Sequence, residues 1–335
     1  MTAREVTDMS ITPRVVRPYQ LACLVCRAGS ERPEGPQEKV EELAEQVGLH
    51  PDLPLMVAAN LGETFAYQDP GTADDTPEGA DFNLKRDLDL LQWLDIAPGT
   101  VLPARLLLGR LLLRVPSVRG ICGYEKVTGE AWRGCLKAFS GDYERGQAKG
   151  LKGLLTQRTR EEMDADKVRS IAALEAAEVV KIRPHILLCS VCQYASGVRP
   201  PFAEDNLPEL LQTVMEKDCK LKVKLVPSAD WDMCAPCPSR IDGNDGCVCG
   251  KIGSGGLYNQ VKDINVLQAL GLTYGTVMDA REMYRLIFER IPTASGVCVL
   301  NAIPVPDHSF WHDGCSDSTQ PAGYDKGREM LRGVF

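Results

Sequence analysis

The sequence predicts an α/β fold built twice over: two homologous βαβ-plus-helices repeats packed as a pseudo-two-fold pair. Three observations predict it. An ordered series of internal matches runs through both halves, an apolar run opens each half, and helix-period patterns follow that run in the same order each time. The repeats cover about 13–155 and 181–335, and a charged helical connector spans 156–180.

The matches come first. Arg17-Pro18-Tyr19-Gln20-Leu21-Ala22-Cys23-Leu24-Val25-Cys26 reads against Arg183-Pro184-His185-Ile186-Leu187-Leu188-Cys189-Ser190-Val191-Cys192. Gly99-Thr100-Val101 matches Gly275-Thr276-Val277, and Pro116 to Cys122 matches Pro292 to Cys298 with no gap between the two blocks. Near the ends, Trp132, Cys135 and Tyr143 to Gly146 answer Trp311, Cys315 and Tyr324 to Gly327. Chance gives one such match, not a series in order.

Within each repeat the apolar run, Leu21–Cys26 or Ile186–Cys192, suits a buried strand. A helix is expected next, because Val40, Leu43, Ala44 and Val47 fall at i, i+3, i+4 and i+7, as do Leu207, Leu210, Leu211 and Val214. Asn206 with Glu209 three residues on has the look of a helix start. A second strand is expected at Leu55–Ala59 and Leu221–Val226, then two helices, around Leu84–Leu94 with Ala104–Val115 and around Val261–Leu270 with Ala280–Ile291. A short run ending at Cys122 or Cys298 is the candidate third strand. Strand–helix–strand order implies a parallel pair.

Composition narrows the function classes. The chain has 38 Lys+Arg against 46 Asp+Glu, a formal charge of −8, which argues against a nucleic-acid partner gripped through its phosphates. Aromatics at 6% leave little for stacking on single strands. The apolar stretch from Val101 to Val115 is too short to span a bilayer and is interrupted by arginines, so no membrane role is expected. Thirteen cysteines beside an N-terminus without a signal-peptide pattern point to thiols or metal ligands in the cytoplasm rather than disulfides.

The halves differ most in the loop after the second strand. In the second half it holds Cys234, Cys237, Cys247 and Cys249 among Gly, Pro and Asp; Phe65 and Gln68 stand where Cys234 and Cys237 would align. Soft thiolates on a sharply turning backbone are what a metal cage needs, and Cys-x-x-Cys-Pro suits iron–sulfur ligation. The expected cofactor is an iron–sulfur cluster of the 4Fe-4S type. Structural zinc, held by four cysteines at similar spacing, is the alternative. Two ligand sets stay open: the four loop cysteines, or Cys189 (or Cys192) with Cys234, Cys237 and Cys247. The second is slightly favoured, because Cys189–Cys192 is expected to end the first strand, beside the end of the second.

Four cysteine pairs are shared by the halves: Cys23/Cys189, Cys26/Cys192, Cys122/Cys298 and Cys135/Cys315. They read either as one four-thiol site per half or as small buried hydrophobes. His185, four residues before Cys189, is one candidate for proton transfer near a cluster and Asp232 is the other; for His185 a structural role fits equally. His308 and His312, with Asp307, Asp313 and Cys315, allow a mononuclear site or a turn. The Gly-rich run Gly250–Gly256 suits a tether better than an anion cradle, lacking the spacing of a phosphate loop. Asp87 and Asp263, equivalent positions in a helix, suggest a helix-start or packing role.

From Arg183 to Cys189, in Trp231-Asp232-Met233-Cys234-Ala235-Pro236-Cys237-Pro238 and in Lys262 to Leu267, the chain resembles a small bacterial cysteine-containing domain of unknown function with an Arg-Pro-His-His-Leu-Leu-Cys-like opening. The match covers roughly 182–275, with Ile186 where that family carries a second His. The resemblance implies iron–sulfur binding, and implies that Cys189, Cys234 and Cys237 act together. Electron transfer, or redox or sulfur chemistry on a small molecule, is the expected function, as an iron–sulfur-dependent oxidoreductase or sulfur-handling enzyme with a small-molecule substrate or a redox partner protein. A zinc-stabilised interaction module is the rival, and a dithiol redox protein using Cys23–Cys26 and Cys189–Cys192 the third reading.

Overall fold

The computed structural model describes residues 12–31, 38–61, 78–155, 158–243, 246–249, 258–298 and 319–335. The chain divides into two compact units, 1–157 and 158–335. Both are mixed α/β and mostly helical.

In the first unit β1 (Arg14–Val16) leads directly into α1 (Pro18–Gly29), followed by α2 (Glu38–Leu49), β2 (Pro54–Val57), α3 (Ala80–Leu94), β3 (Val101–Pro103), α4 (Ala104–Arg114) and α5 (Asp142–Lys149). The strand order is β1-β2-β3, with β1 parallel to β2 (Val16 opposite Val57) and β3 antiparallel to it (Leu102 opposite Leu55). Val16, Leu55 and Val57 enter a core completed by Leu21, Val25, Leu43, Leu90 and Leu107.

The second unit begins with α6 (Arg160–Ala176). Then come β4 (Val179–Ile182), α7 (Pro184–Ala195), α8 (Leu207–Met215), β5 (Lys222–Leu225), α9 (Trp231–Cys234), a hairpin of β6 (Arg240–Gly243) and β7 (Gly246–Cys249), α10 (Tyr258–Leu270), β8 (Val277–Asp279), α11 (Ala280–Arg290), α12 (Ser295–Cys298) and α13 (Thr319–Leu331). Its sheet, β4-β5-β8, repeats the parallel-then-antiparallel pattern of the first. The two units thus share the order strand, two helices, strand, helix, strand, helix, although α9 and its hairpin interrupt that order in the second unit.

Two strand expectations are overturned. Leu21–Cys26 and Ile186–Cys192 lie in helices α1 and α7, and the strands are the short segments just before them. Pro18 and Pro184 occupy the first helical position, where a missing N–H costs nothing and the fixed φ helps. Burial on nearly every side of these helices erased the period that marks a helix, and an unbroken apolar run does not separate a buried helix from a strand. The third strand is not the run ending at Cys122 or Cys298 either. It is β3 or β8, each only three residues long and followed at once by a helix; Cys298 ends α12.

The N-termini of α1 and α7 are held from a distance by the paired aspartates. Asp87 on α3 accepts the Tyr19 backbone N–H at 3.1 Å and pairs with Arg17; Asp263 on α10 accepts the His185 backbone N–H at 3.0 Å and the Arg183 Nε at 2.7 Å. A carboxylate at a helix start satisfies an otherwise orphaned donor and opposes the helix dipole. Both aspartates are fully buried, so the packing expectation holds with the added detail that they close β-strand, helix and helix at one point.

The last helix of each unit crosses α1 or α7 closely. A Cβ on Gly146 would stand 1.9 Å from the Val25 carbonyl oxygen, and one on Gly327 would stand 2.3 Å from that of Val191. Beside these glycines, Tyr143 donates to the Val115 carbonyl at 3.0 Å and Tyr324 to that of Ile291 at 2.8 Å.

The charged segment forms α6, opened by a reciprocal cap in which Thr159 Oγ1 accepts from the Glu162 N–H and Glu162 returns the bond at 2.7 Å. It packs on α9 and buries Asp166, Ser170 and Leu174. Asn206 precedes α8, but it is Asp205 that accepts the Leu207 N–H, at 3.0 Å, while the Asn206 amide donates to the Asp232 carbonyl. Among the described residues, no helix is long and apolar enough to cross a membrane.

Candidate metal centre

The cysteine loop follows β5. Asp230 caps α9, its Oδ1 accepting the Asp232 N–H at 3.2 Å, and the chain then turns through Cys234-Ala235-Pro236-Cys237. The Cys237 N–H donates to the Cys234 carbonyl at 3.0 Å, and the Ser239 N–H approaches Cys237 Sγ at 3.4 Å. The turn thus aims a backbone donor at the Cys237 sulfur.

Arginines fix this turn to α6. Arg158 Nη1 donates to the carbonyls of Ala235 at 2.7 Å and Cys237 at 2.8 Å, and its other amino group pairs with Asp166. Asp166 also pairs with Arg169 and, at 2.9 Å, with Arg240, which opens the hairpin immediately after the turn. In the hairpin register Cys249 stands opposite Arg240 and Cys247 opposite Asp242. The backbone therefore returns two cysteine positions alongside the strand that leaves Cys237. The side chains of Cys247 and Cys249 lie outside the described residues.

Cys189 and Cys192 are one turn apart on α7 and pack, half-buried, against the same core as Cys234. Cys189 lies near Tyr284, whose hydroxyl is 2.7 Å from Ser190 Oγ; Cys192 and Cys298 both lie near Tyr324. Burial pushes both phenols up. The reason for preferring Cys189 or Cys192 as a strand-end ligand is withdrawn, because β4 ends at Ile182 and both cysteines sit well inside the following helix. For the dithiol reading, neither pair gains from a helix start: Cys23 and Cys189 are at the sixth position of their helices. Among the described residues, no three Cys, His, Asp or Glu side chains are gathered closely enough to hold a single metal ion as they stand. No disulfide joins the described cysteines.

His185 is almost fully buried, with Nδ1 2.6 Å from Asp263 Oδ1. Burial lowers its tendency to protonate, and the Asp263 carboxylate works against that. Asp232 sits two residues before Cys234. Its Oδ2 accepts the Lys181 N–H at 2.7 Å on the outer side of β4, and burial pushes its carboxyl up.

In the first unit the four shared thiols converge. Cys23, Cys26, Cys122 and Cys135 lie near enough for charge on one to act on the others. Cys315, His308, His312 and the Gly250–Gly256 run fall outside the described residues, as do Phe65 and Gln68.

The residues that the sequence reading passed over are arginines. Arg158 and Arg240 anchor the cysteine turn, and Arg17 and Arg183 complete the aspartate caps. The second pair had a visible signal in the repeated Arg-Pro and the equivalent aspartates; the first had none, because Arg158 stands far from the loop in sequence. No protein-family model, curated protein or solved structure matches the chain, so its chemistry rests on this geometry.

Proposed function

We propose that the chain is a cytoplasmic iron–sulfur protein acting in electron transfer, or in redox or sulfur chemistry on a small molecule, and that its two units descend from one ancestral repeat. The observation that carries the first part is the Cys234–Cys237 turn. It presents two thiols on one turn of backbone, aims an N–H at Cys237 Sγ, and is held by Arg158 through two carbonyls. The hairpin register returns Cys247 and Cys249 beside it, which favours the loop ligand set of Cys234, Cys237, Cys247 and Cys249. Cys189 stays in the reading through the family resemblance, and Cys192 as its alternative in the second ligand set.

The donor set suits the group: soft sulfur ligands, flanking cations and a partly buried turn. Closed by four thiolates a cluster supplies one-electron transfer; held by three it leaves an iron position for substrate. Arg158 and Arg240 balance the negative charge of the thiolates and keep the turn in place. Asp232, inside the turn segment, is the nearer candidate to move a proton, and His185, paired with Asp263, the more remote one.

A zinc-stabilised interaction module is the second reading, and the turn-plus-hairpin arrangement favours it specifically, since a cysteine turn and a hairpin can close on a single tetrahedral ion. Purification without oxygen separates the two. Brown protein with a broad band near about 400 nm, iron and acid-labile sulfide supports the cluster. Colourless protein with stoichiometric zinc replaces it with the module.

A further inference from the structure

The first unit lacks the cysteine loop, yet it gathers four thiols of its own. Cys23 and Cys26 are three residues apart on α1 and so share a face. Cys122 and Cys135 are brought together by a backbone bond, the Cys135 N–H donating to the Cys122 carbonyl at 2.7 Å. Gly134 makes that approach possible: its φ is +72° and a Cβ there would stand 2.9 Å from the Cys122 oxygen. All four pack in or against one core, close enough that Cys135 acts electrostatically on the other three, Cys23 on Cys26 and Cys122, and Cys122 on Cys26.

A cation stands over this group. Arg86 on α3 is 2% exposed, with its guanidinium 4.1 Å from the Tyr19 ring centroid and Nη2 donating to Asn83 at 2.6 Å. Its charge acts on Cys23 and Cys122. Among the described residues, Arg86 Nε is buried and has no hydrogen-bond partner. A buried donor left unsatisfied costs about 1–3 kcal/mol and calls for an acceptor at that place. Glu78 Oε2, 4.0 Å from Arg86 Nη1, answers part of the charge but leaves Nε without an acceptor, and the sulfurs of a thiolate-bound centre would supply one.

We propose that Cys23, Cys26, Cys122 and Cys135 hold a second, separate thiolate metal centre in the first unit, an iron–sulfur cluster, with Arg86 as its cationic neighbour. The four thiols are not drawn in as tightly as a single ion requires. A polynuclear centre spreads its ligand sulfurs further apart than one tetrahedral ion, and for that reason a cluster is the class of centre proposed. Burial without such a centre leaves these groups as inert thiols, with Cys23 pushed up to about 12 and Cys26 and Cys122 also raised. The second unit repeats part of the arrangement. Cys192 and Cys298 flank Tyr324 as Cys26 and Cys122 flank Tyr143, and the buried Lys262 replaces Arg86.

This inference does not depend on the cysteine loop, and the experiment keeps the two apart. The full chain carrying Cys234→Ser and Cys237→Ser is reconstituted anaerobically with ferrous iron and sulfide, then desalted. It is expected to retain iron, acid-labile sulfide and the visible band; adding Cys26→Ala and Cys135→Ala is expected to abolish them. In the wild-type background, Cys26→Ala with Cys135→Ala is expected to halve the bound iron when the loop also binds, and to remove all of it when the loop does not. Far-UV circular dichroism unchanged from wild type qualifies each variant, and Arg86→Met, which keeps all four thiols, is expected to shift the reduction potential of the retained centre downward. Loop-substituted protein without bound iron, or bound iron indifferent to Cys26→Ala with Cys135→Ala, overturns the proposal.

Discussion

His185 Nδ1 lies 2.6 Å from Asp263 Oδ1, so one buried carboxylate holds a histidine ring, that residue's own backbone N–H and the Arg183 guanidinium together. In the first unit Asp87 makes the matching backbone and arginine contacts, but Tyr19 stands in place of the histidine. Removing either carboxylate strands a buried arginine. Asp263→Asn is expected to lower stability by about 3–5 kcal/mol, read from urea unfolding. A loss below about 1 kcal/mol would show that this cap does not hold its strand–helix junction.

The two junctions respond to pH in opposite directions. Burial outweighs the pull of Arg17 and pushes Asp87 up to about 6, above its unfolded value of about 3.9. Its contribution is therefore full below the unfolded value and is lost as pH rises through about 6. His185 is shifted down, so its contribution is present at neutral pH and fades as pH falls through the unfolded value of about 6.5. Between pH 7 and pH 5, wild type is expected to gain stability relative to Asp87→Asn and to lose it relative to His185→Gln. Urea midpoints at the two pH values check the signs.

Glycine at the helix crossings is a steric requirement. Gly146→Ala and Gly327→Ala force a Cβ onto the carbonyls of Val25 and Val191, and an overpacking loss of about 1–3 kcal/mol or more is expected for each. Gly296, where a Cβ meets nothing within 4 Å, serves as the control. Thermal melts in which all three alanines behave alike would contradict the crossing geometry.

Arg158→Gln removes the two bonds to the carbonyls of Ala235 and Cys237 while leaving Asp166 with Arg169 and Arg240. In protein loaded with the metal that the proposed function requires, the expected result is faster loss of that metal to a chelator with the fold retained. Arg169→Gln is the comparison, since Arg169 reaches the same carboxylate from an exposed side chain and exposed pairs contribute little. Equal rates in the two variants would show that Arg158 does not steady the turn.

Most helices and the second strand of each unit were legible because their apolar spacing follows the helix or strand period: Val40 to Val47 and Leu207 to Val214 fall in the expected helices, and the strand expected at Leu221–Val226 is Lys222–Leu225. The junction of β1 and α1 was not. Tyr19 to Val25 is buried on almost every side, and a helix sunk in a core shows the same unbroken hydrophobicity as a buried strand. The proline that settles the matter was present at Pro18 and Pro184, but its meaning depended on where the strand ended. Of the candidate site, the cysteine turn could be seen in the spacing of Cys234 and Cys237, whereas its support could not. Arg158 and Asp166 reach it through tertiary packing of a helix that local composition marks only as charged.

The bond from the Lys181 N–H to Asp232 Oδ2, at 2.7 Å, has a consequence for behaviour in a crowded solution. β4 is the outermost strand of its sheet, and an outward backbone donor on such a strand invites a strand from another molecule. Here a carboxylate occupies that donor, and any incoming strand would have to bring its own carbonyl against a negative charge. The segment that carries the cysteines therefore also works as a guard against polymerisation. Damage to it would expose a templating edge along with the loss of its thiols.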